Sequence, residues 1–172
     1  MVVATEGPEA ARLLGAQERP GSRSVTCVYF AADEPPFSEP LLALNGEGKG
    51  FINSLCFPSN VASSYAPKDK SLASVTLIGV PDQSDQQLET VVRAQLMEWF
   101  GTSAKGWRYL RTYRIPHALP MQLPPVSDPA SRPAQIRPGL FVCGEYQNAA
   151  SIQWAMVSGH NAAETVTHWL RK

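Results

Sequence analysis

The residues best placed to do chemistry lie near the carboxyl end of the sequence. Gly144 and Glu145 follow a short apolar run, Leu140 to Cys143, and a helix-patterned segment opens at about Ser151. A carboxylate just past the carboxyl end of a strand in an α/β sheet stands where ligands of such sheets bind, and it can accept hydrogen bonds from sugar or polyol hydroxyls. Asn148 or Ser151 can cap the helix, and its first-turn amides present positive potential to an anionic or electron-rich atom. Because strand-Gly-acid sequences are common at exposed strand ends, Glu145 taken alone reads first as a structural residue.

Other constellations carry less. His160, Glu164 and His168 recur at i, i+4 and i+8 on the last helix, but with no further strong ligand they read as a solvated, ion-paired face. Cys56 and His117 could be imagined as nucleophile and base, yet Cys56 lies in an apolar strand and neither sits in a nucleophile turn. Gly46, Gly48 and Gly50 lack GxGxxG spacing and precede a strand rather than a helix, which argues against a phosphate loop. No catalytic side chain and no metal-ligand set are assigned.

The elements that must position these residues follow from the pattern. Met1 to Thr5 reads as a strand and Glu9 to Leu14 as a short helix, with Pro8 at its start and Gly15 at its end. Such an apolar strand normally has parallel neighbours, which suggests missing upstream sequence; an edge strand of a small self-sufficient domain is the alternative. Ser24–Phe30, Leu41–Leu44, Phe51–Phe57 and Ser71–Gly79 read as strands of an antiparallel meander. A helix is expected from Ser84, whose capping box uses Gln87, with Leu88, Val91, Val92, Leu96, Trp99 and Phe100 on one stripe and Gly101 as the stop. Trp107 to Ile115 reads as a strand whose Tyr109, Arg111 and Tyr113 share a face. Seven prolines between Pro116 and Pro138 cannot sustain a helix or a central strand, so a crossing segment is expected there. The final helix, Ser151 to about Arg171, carries an apolar face of Ile152, Ala155, Met156, Gly159, Ala162, Ala163, Val166, Trp169 and Leu170.

Composition sets the limits. The sequence has 172 residues, with 15 Lys+Arg against 15 Asp+Glu, so no charge footprint points to nucleic acid or an anionic membrane. Three widely spaced cysteines make neither a disulfide framework nor a zinc knuckle, which favours a reducing compartment such as cytoplasm or plastid stroma. No apolar run reaches the roughly 18 residues of a membrane span, so a soluble protein is expected.

The carboxyl-terminal residues resemble a family. Gly139-Leu-Phe-Val-Cys-Gly144-Glu145, Ala150-Ser151-Ile152, Ala155, Ser158-Gly159 and Ala162-Ala163-Glu164 resemble the flavin-binding signature of FAD-dependent amine oxidase-like enzymes, which include monoamine oxidases, protoporphyrinogen oxidases and carotenoid desaturases. Val2 to Thr5 with Pro8-Glu-Ala-Ala-Arg-Leu-Leu14 is similar to the strand and helix where such proteins leave the FAD domain, and Tyr29 to Pro120 is similar to their substrate domain. Trp154 stands where the family usually has glycine, and His160 where an arginine is common.

The resemblance implies an α/β plus α+β fold: a partial Rossmann-like FAD domain, made of the first and last strand-helix pairs, with an inserted antiparallel-sheet substrate domain. The implied boundaries are 1–20 and 139–172 for the FAD-domain pieces, 21–120 for the substrate domain and 121–138 for the proline-rich crossing. It implies FAD as cofactor, with Gly144 and Glu145 at the pyrophosphate-ribitol region and Ser151, Ile152 and Ala155 facing the isoalloxazine ring. Tyr113 and His117, flanking a stretch that leads back toward the flavin, are implied on the substrate side. The implied activity is hydride transfer to FAD from a small-molecule substrate, an amine or an unsaturated apolar compound. The glycine-rich βαβ motif that cradles the ADP pyrophosphate is not in these residues, so the chain is expected to be the C-terminal portion of a longer enzyme, completed by an N-terminal half or a partner chain. The alternative is a non-enzymatic remnant or interaction module that pairs with another chain.

Overall fold

The computed structural model describes residues 1–17, 21–123 and 132–171; Pro124, Pro125 and Pro129 of the proline-rich segment lie outside them. The chain divides into two compact units, one of residues 1–23 with 117–172 and one of residues 24–116.

Residues 24–116 build a helix against an antiparallel sheet. The strands are β2 (Ser22–Ala32), β3 (Leu42–Leu44), β4 (Ile52–Cys56), β5 (Ser71–Ile78) and β6 (Arg108–Pro120), in the order β3-β4-β5-β2-β6; β2 and β6 begin or end in the other unit. A simple meander would place β2 beside β3. Instead β2 pairs with β5, with Val28 opposite Val75, and β3-β4-β5 alone follow sequence order. Period-two alternation assigns the two faces: Val28, Phe30 and Ala32 of β2 are buried with Ala73, Val75 and Leu77 of β5, while Cys27, Tyr29 and Leu72 point the other way.

Helix α3 (Asp85–Phe100) covers the buried face with Leu88, Val92 and Leu96, each fully buried. Its start is fixed by a reciprocal capping box between Ser84 and Gln87. The expected stripe is narrower than its spacing suggests, for Trp99 remains 36% exposed. Two short helices, α2 (Pro58–Val61) and α4 (Thr102–Lys105), complete the cover. Between α3 and the sheet, aromatic side chains meet mostly edge-on: Phe57 with Trp107 at 5.5 Å and Phe37 with Phe57 at 5.3 Å between ring centroids, with Phe100 stacked on Trp107 at 6.1 Å.

A buried amide pins the loop between β3 and β4. Gln95, 8% exposed, accepts from the backbone N–H of Phe51 (2.9 Å) and Ile52 (3.1 Å) and donates to the Lys49 carbonyl (2.9 Å). Gly50 lets it come that close: with φ at +75°, a β-carbon there would lie 2.4 Å from the Gln95 Oε1 atom. The glycine cluster is therefore a turn held by a core side chain.

Strand β6 departs from expectation in two ways. It runs on through Pro116 to Pro120, which an edge strand tolerates because a proline's missing N–H can face away from the ladder. Its aromatic residues also do not share one face. Tyr109 packs edge-on against Phe30 of the buried side, whereas Tyr113 packs edge-on against Tyr29 of the opposite side. An irregularity between them, marked by the buried Thr112 and its hydrogen bond to the Tyr109 hydroxyl, breaks strict alternation.

Residues 1–23 and 117–172 form a three-stranded sheet in the order β1-β8-β7, from β1 (Val2–Val3), β7 (Gln135–Arg137) and β8 (Leu140–Val142). The pair β1-β8 is parallel, with Val3 opposite Val142, and β7-β8 is an antiparallel hairpin. That hairpin places a strand within the proline-rich stretch that was expected only to cross. Helix α1 (Gly7–Leu14) starts with Pro8 in its first turn and stops at Gly15 in the left-handed conformation. Ala10 packs on Val3 and Val142 in a small core.

Helix α5 (Ile152–Leu170) follows, and its expected apolar face is largely uncovered by the described residues. Ile152, Met156 and Leu170 are exposed; Ser158 and Ala162 are the buried contacts, with Trp169 edge-on to Phe141. Three short strands give too little surface to cover nineteen residues of helix. No helix among the described residues is long and apolar enough to cross a membrane.

Trp107, 3% exposed at the centre of the aromatic cluster, sets the stability of residues 24–116. Trp107→Ala is expected to lower it by about 3–5 kcal/mol, read as a fall in the urea midpoint. Gln95→Leu, which strands the buried Ile52 N–H, should cost about 2–3 kcal/mol in the same assay.

Candidate functional site

The end of β8 is built to meet α5. Gly144 has φ at +148°, and a β-carbon there would lie 2.7 Å from the Tyr146 ring and 3.1 Å from the Thr5 carbonyl, so only glycine allows the turn. Its backbone N–H donates to the Ser158 Oγ atom (3.0 Å), which ties the strand end to the second turn of α5. Glu145 then opens a single 3-10 turn, Glu145–Gln147. Its carboxylate makes no ion pair among the described residues.

The loop from there to the helix is held from both sides. Arg132 donates to the Tyr146 carbonyl (2.6 Å), and Gln122 both donates to the Asn148 carbonyl (2.9 Å) and accepts from the Ala150 N–H (3.2 Å). Ser151, one of the two expected caps, accepts from the Trp154 N–H (3.2 Å), and the Ser151 carbonyl receives the Ala155 N–H (3.0 Å). Asn148 is buried and does not cap. The Ile152 and Gln153 amides are left without an intrahelical acceptor, and Ile152 is 77% exposed. The Trp154 indole is 39% exposed, so it is not packed into the small core beneath.

Glu145 and His117 share a small cavity of about 10 Å³, room for roughly one water, walled also by Glu6, Pro8, Ser22 and Tyr146. His117 Nδ1 and the Ser22 Oγ atom share a hydrogen bond of 2.6 Å. The Tyr146 hydroxyl is buried without a hydrogen-bond partner among the described residues, and burial is the main cause of an upward shift in its pKa.

Of the residues singled out from sequence, Gly144, Glu145, Ser151, Ile152 and Ala155 fall on one strand-loop-helix segment, and His117 joins Glu145. Tyr113 belongs to the other unit, where it lines a separate concavity with Cys27, Tyr29 and Arg111. Sequence reasoning passed over Ser22 and Gln122, and it named Ser158 within the family signature without the amide it receives, because a hydroxyl fourteen residues from that amide has no local signature. The stripe His160, Glu164, His168 is a solvent face, with His160 and Glu164 3.3 Å apart and both exposed; no metal-ligand cluster occurs among the described residues. Cys27, Cys56 and Cys143 are free thiols; burial pushes Cys56 and Cys143 up, against a role for Cys56 as a nucleophile.

Replacing Ser158 should loosen this segment without unfolding the other unit. Ser158→Ala is expected to cost about 1–2 kcal/mol and to speed hydrogen exchange at the Gly144 amide, with Gly159→Ala, which meets open space, as the control.

Comparisons with known proteins agree on the fold. The chain superposes on a candidate protoporphyrinogen oxidase from Exiguobacterium sp. 255-15 with a TM-score of 0.67 at 15% identity, covering 99% of this chain and 41% of that one. It superposes on an oxidoreductase from Methanosarcina mazei with a TM-score of 0.60 at 16% identity, covering 92% and 37% respectively. A Pyrococcus furiosus protein gives 0.55 at 12% identity, with 86% and 32% covered. The chain thus spans well under half the length of these structures. None of the curated proteins matches the sequence. Residues 2–167 match the family described as flavin containing amine oxidoreductase, and the interaction-module alternative gains nothing from these comparisons. By that match over nearly its whole length, the chain belongs to the flavin-containing amine oxidoreductases.

Proposed function

We propose that this chain is the substrate-domain and C-terminal cofactor-binding portion of an FAD-dependent oxidoreductase. Residues 1–20 and 139–172 would then belong to a Rossmann-like FAD domain, with 21–120 as the inserted substrate domain and 121–138 as the crossing. The ADP end of the cofactor would be held by a glycine-rich portion supplied by the same polypeptide or by a partner chain.

The observation that carries the reading is the clamped strand end. Gly144 hands its amide to Ser158, so the Glu145 turn and the first turn of α5 are fixed to one another. The donor set fits a flavin. Two amides without a partner among the described residues, at the positive end of a nineteen-residue helix, suit the electron-rich edge of a heterocycle, and a carboxylate with no ion pair among those residues suits ribitol or ribose hydroxyls. Glu145 and Gly144 would bind the pyrophosphate-ribitol region, and Ser151, Ile152 and Ala155 would face the ring. Bound FAD would supply the acceptor for a hydride leaving an amine or unsaturated apolar substrate. The α5 terminus would stabilise negative charge at the ring edge, and the exposed Ile152 would exclude water beside it. His117, held by Ser22 and adjoining Glu145 across the small cavity, would lie toward the substrate side.

The test is flavin content. The purified chain, alone and then mixed with a candidate glycine-rich N-terminal portion, is examined for visible flavin absorption. Colour in the mixture supports the reading, and colour in neither sample overturns it. In the mixture, Glu145→Gln should weaken flavin binding about tenfold while leaving the urea midpoint of residues 24–116 unchanged.

A further inference from the structure

We propose that a cleft between helix α3 and the loop joining β3 to β4 binds a small quaternary ammonium compound, with the Phe51 and Trp99 rings as its walls and the Glu98 carboxylate as the cation's partner. The cleft lies wholly within residues 24–116 and shares no residue with the concavity lined by Tyr29 and Tyr113. It is a site apart from any flavin and from the oxidised substrate, and it does not rest on the oxidoreductase reading.

The cleft follows from a low helix face and a pinned loop. Val91, Ala94, Gln95 and Glu98 recur at spacings of three and four, so they share the side of α3 that meets the loop. Ala94 keeps that side low, and a hollow of about 280 Å³ remains. This is just below the roughly 300–1,000 Å³ of drug-sized sites, so it suits one compact head group and not a stretch of polypeptide. The two walls are fixed to one another. Gln95 ties the loop to the helix through Lys49, Phe51 and Ile52. Asn45 closes the loop on itself, donating to the Lys49 and Ile52 carbonyls, both at 2.7 Å, and accepting from the Glu47 and Gly48 N–H groups, both at 3.2 Å. A cleft held in this way is shaped before a ligand arrives, which lowers the cost of binding.

Chemistry narrows the ligand class. Phe51 is 39% exposed and Trp99 36%, and neither ring has a cation stacked on it among the described residues. Trp99 stands at right angles to Phe100, 6.2 Å between centroids, which braces the indole beside the cleft. The charged lining is Glu47, Lys49 and Glu98. Lys49 pairs with Glu47 at 3.3 Å, whereas Glu98 has no ion pair among the described residues, so the cleft keeps a net negative charge. An anion is repelled there, and a neutral apolar group gains nothing from Glu98. A cation whose charge is spread over methyl groups is drawn both to the ring faces and to the carboxylate. It also sheds its water more readily than a primary ammonium, which is compact and strongly hydrated.

Three probes test this with the full chain at neutral pH: choline, its uncharged carbon isostere dimethylbutanol, and ethanolamine, which lacks the methyl groups. Binding is read by nuclear magnetic resonance from the Trp99 indole N–H and the Gly50 backbone amide. Choline is expected to shift both signals with a Kd of about 1 mM and to bind about tenfold more tightly than either analogue. Glu98→Gln should weaken choline about fivefold and leave dimethylbutanol unchanged. Trp99→Leu, followed at the Gly50 amide, should weaken both ligands. Equal binding of choline and dimethylbutanol, ethanolamine binding as tightly as choline, an unaltered choline affinity in Glu98→Gln, or no shift at either signal below about 10 mM choline overturns the proposal. Because Glu98 is exposed and makes no ion pair among the described residues, its variant keeps the test decisive even where Trp99→Leu disturbs the fold.

Discussion

A single hydrogen bond, from the Gly144 amide to the Ser158 hydroxyl, organises the C-terminal strand end of this protein. Without it the strand end would meet the long helix only farther along, through Trp169 edge-on to Phe141 and the buried Ala162, which leave the loop between them unfixed. Gly144 is in a conformation that a side chain would block, so the amide can reach the helix only because nothing hangs from its α-carbon. Gln122 and Arg132 then brace the intervening residues through their backbone groups, so the geometry of the loop depends little on which side chains the loop itself carries.

The two units divide the physical work. Residues 24–116 own a dense aromatic core in which edge-on contacts between Phe37, Phe57 and Trp107 fill the space between helix and sheet. They keep the sheet rigid enough for its far face to remain a shaped, partly apolar surface. Residues 1–23 and 117–172 have a core of only a few side chains, and they leave Ile152, Met156 and Leu170 in water. Their stability leans on backbone hydrogen bonds and turns more than on burial.

Much of this was legible in the sequence because it is encoded locally. The capping box at Ser84, the stop at Gly15 and the cap at Ser151 are each written within four residues, and the structure has all three. Strand order was not legible, since β2 could pair with either edge of the β3-β4-β5 meander and no local residue records the choice. Nor was the two-sided character of β6, where an irregularity between Tyr109 and Tyr113 turns one aromatic inward and the other outward. Periodicity in α5 identified a face that needs cover and could not say what covers it. The site shows the same division: Gly144 and Glu145 stand out by type and place, whereas the hydrogen bond that Ser158 makes to the Gly144 amide becomes visible only once the helix folds back.

The prolines at the end of β6 bear on how this sheet behaves in a crowded solution. A border strand normally offers a row of main-chain donors and acceptors on which a second polypeptide can zip, the first step toward ordered aggregates. Pro116 and Pro120 each delete a donor from that row, and Pro120 ends the strand. Encounters between copies of the chain are thereby steered away from fibre-like growth along this border.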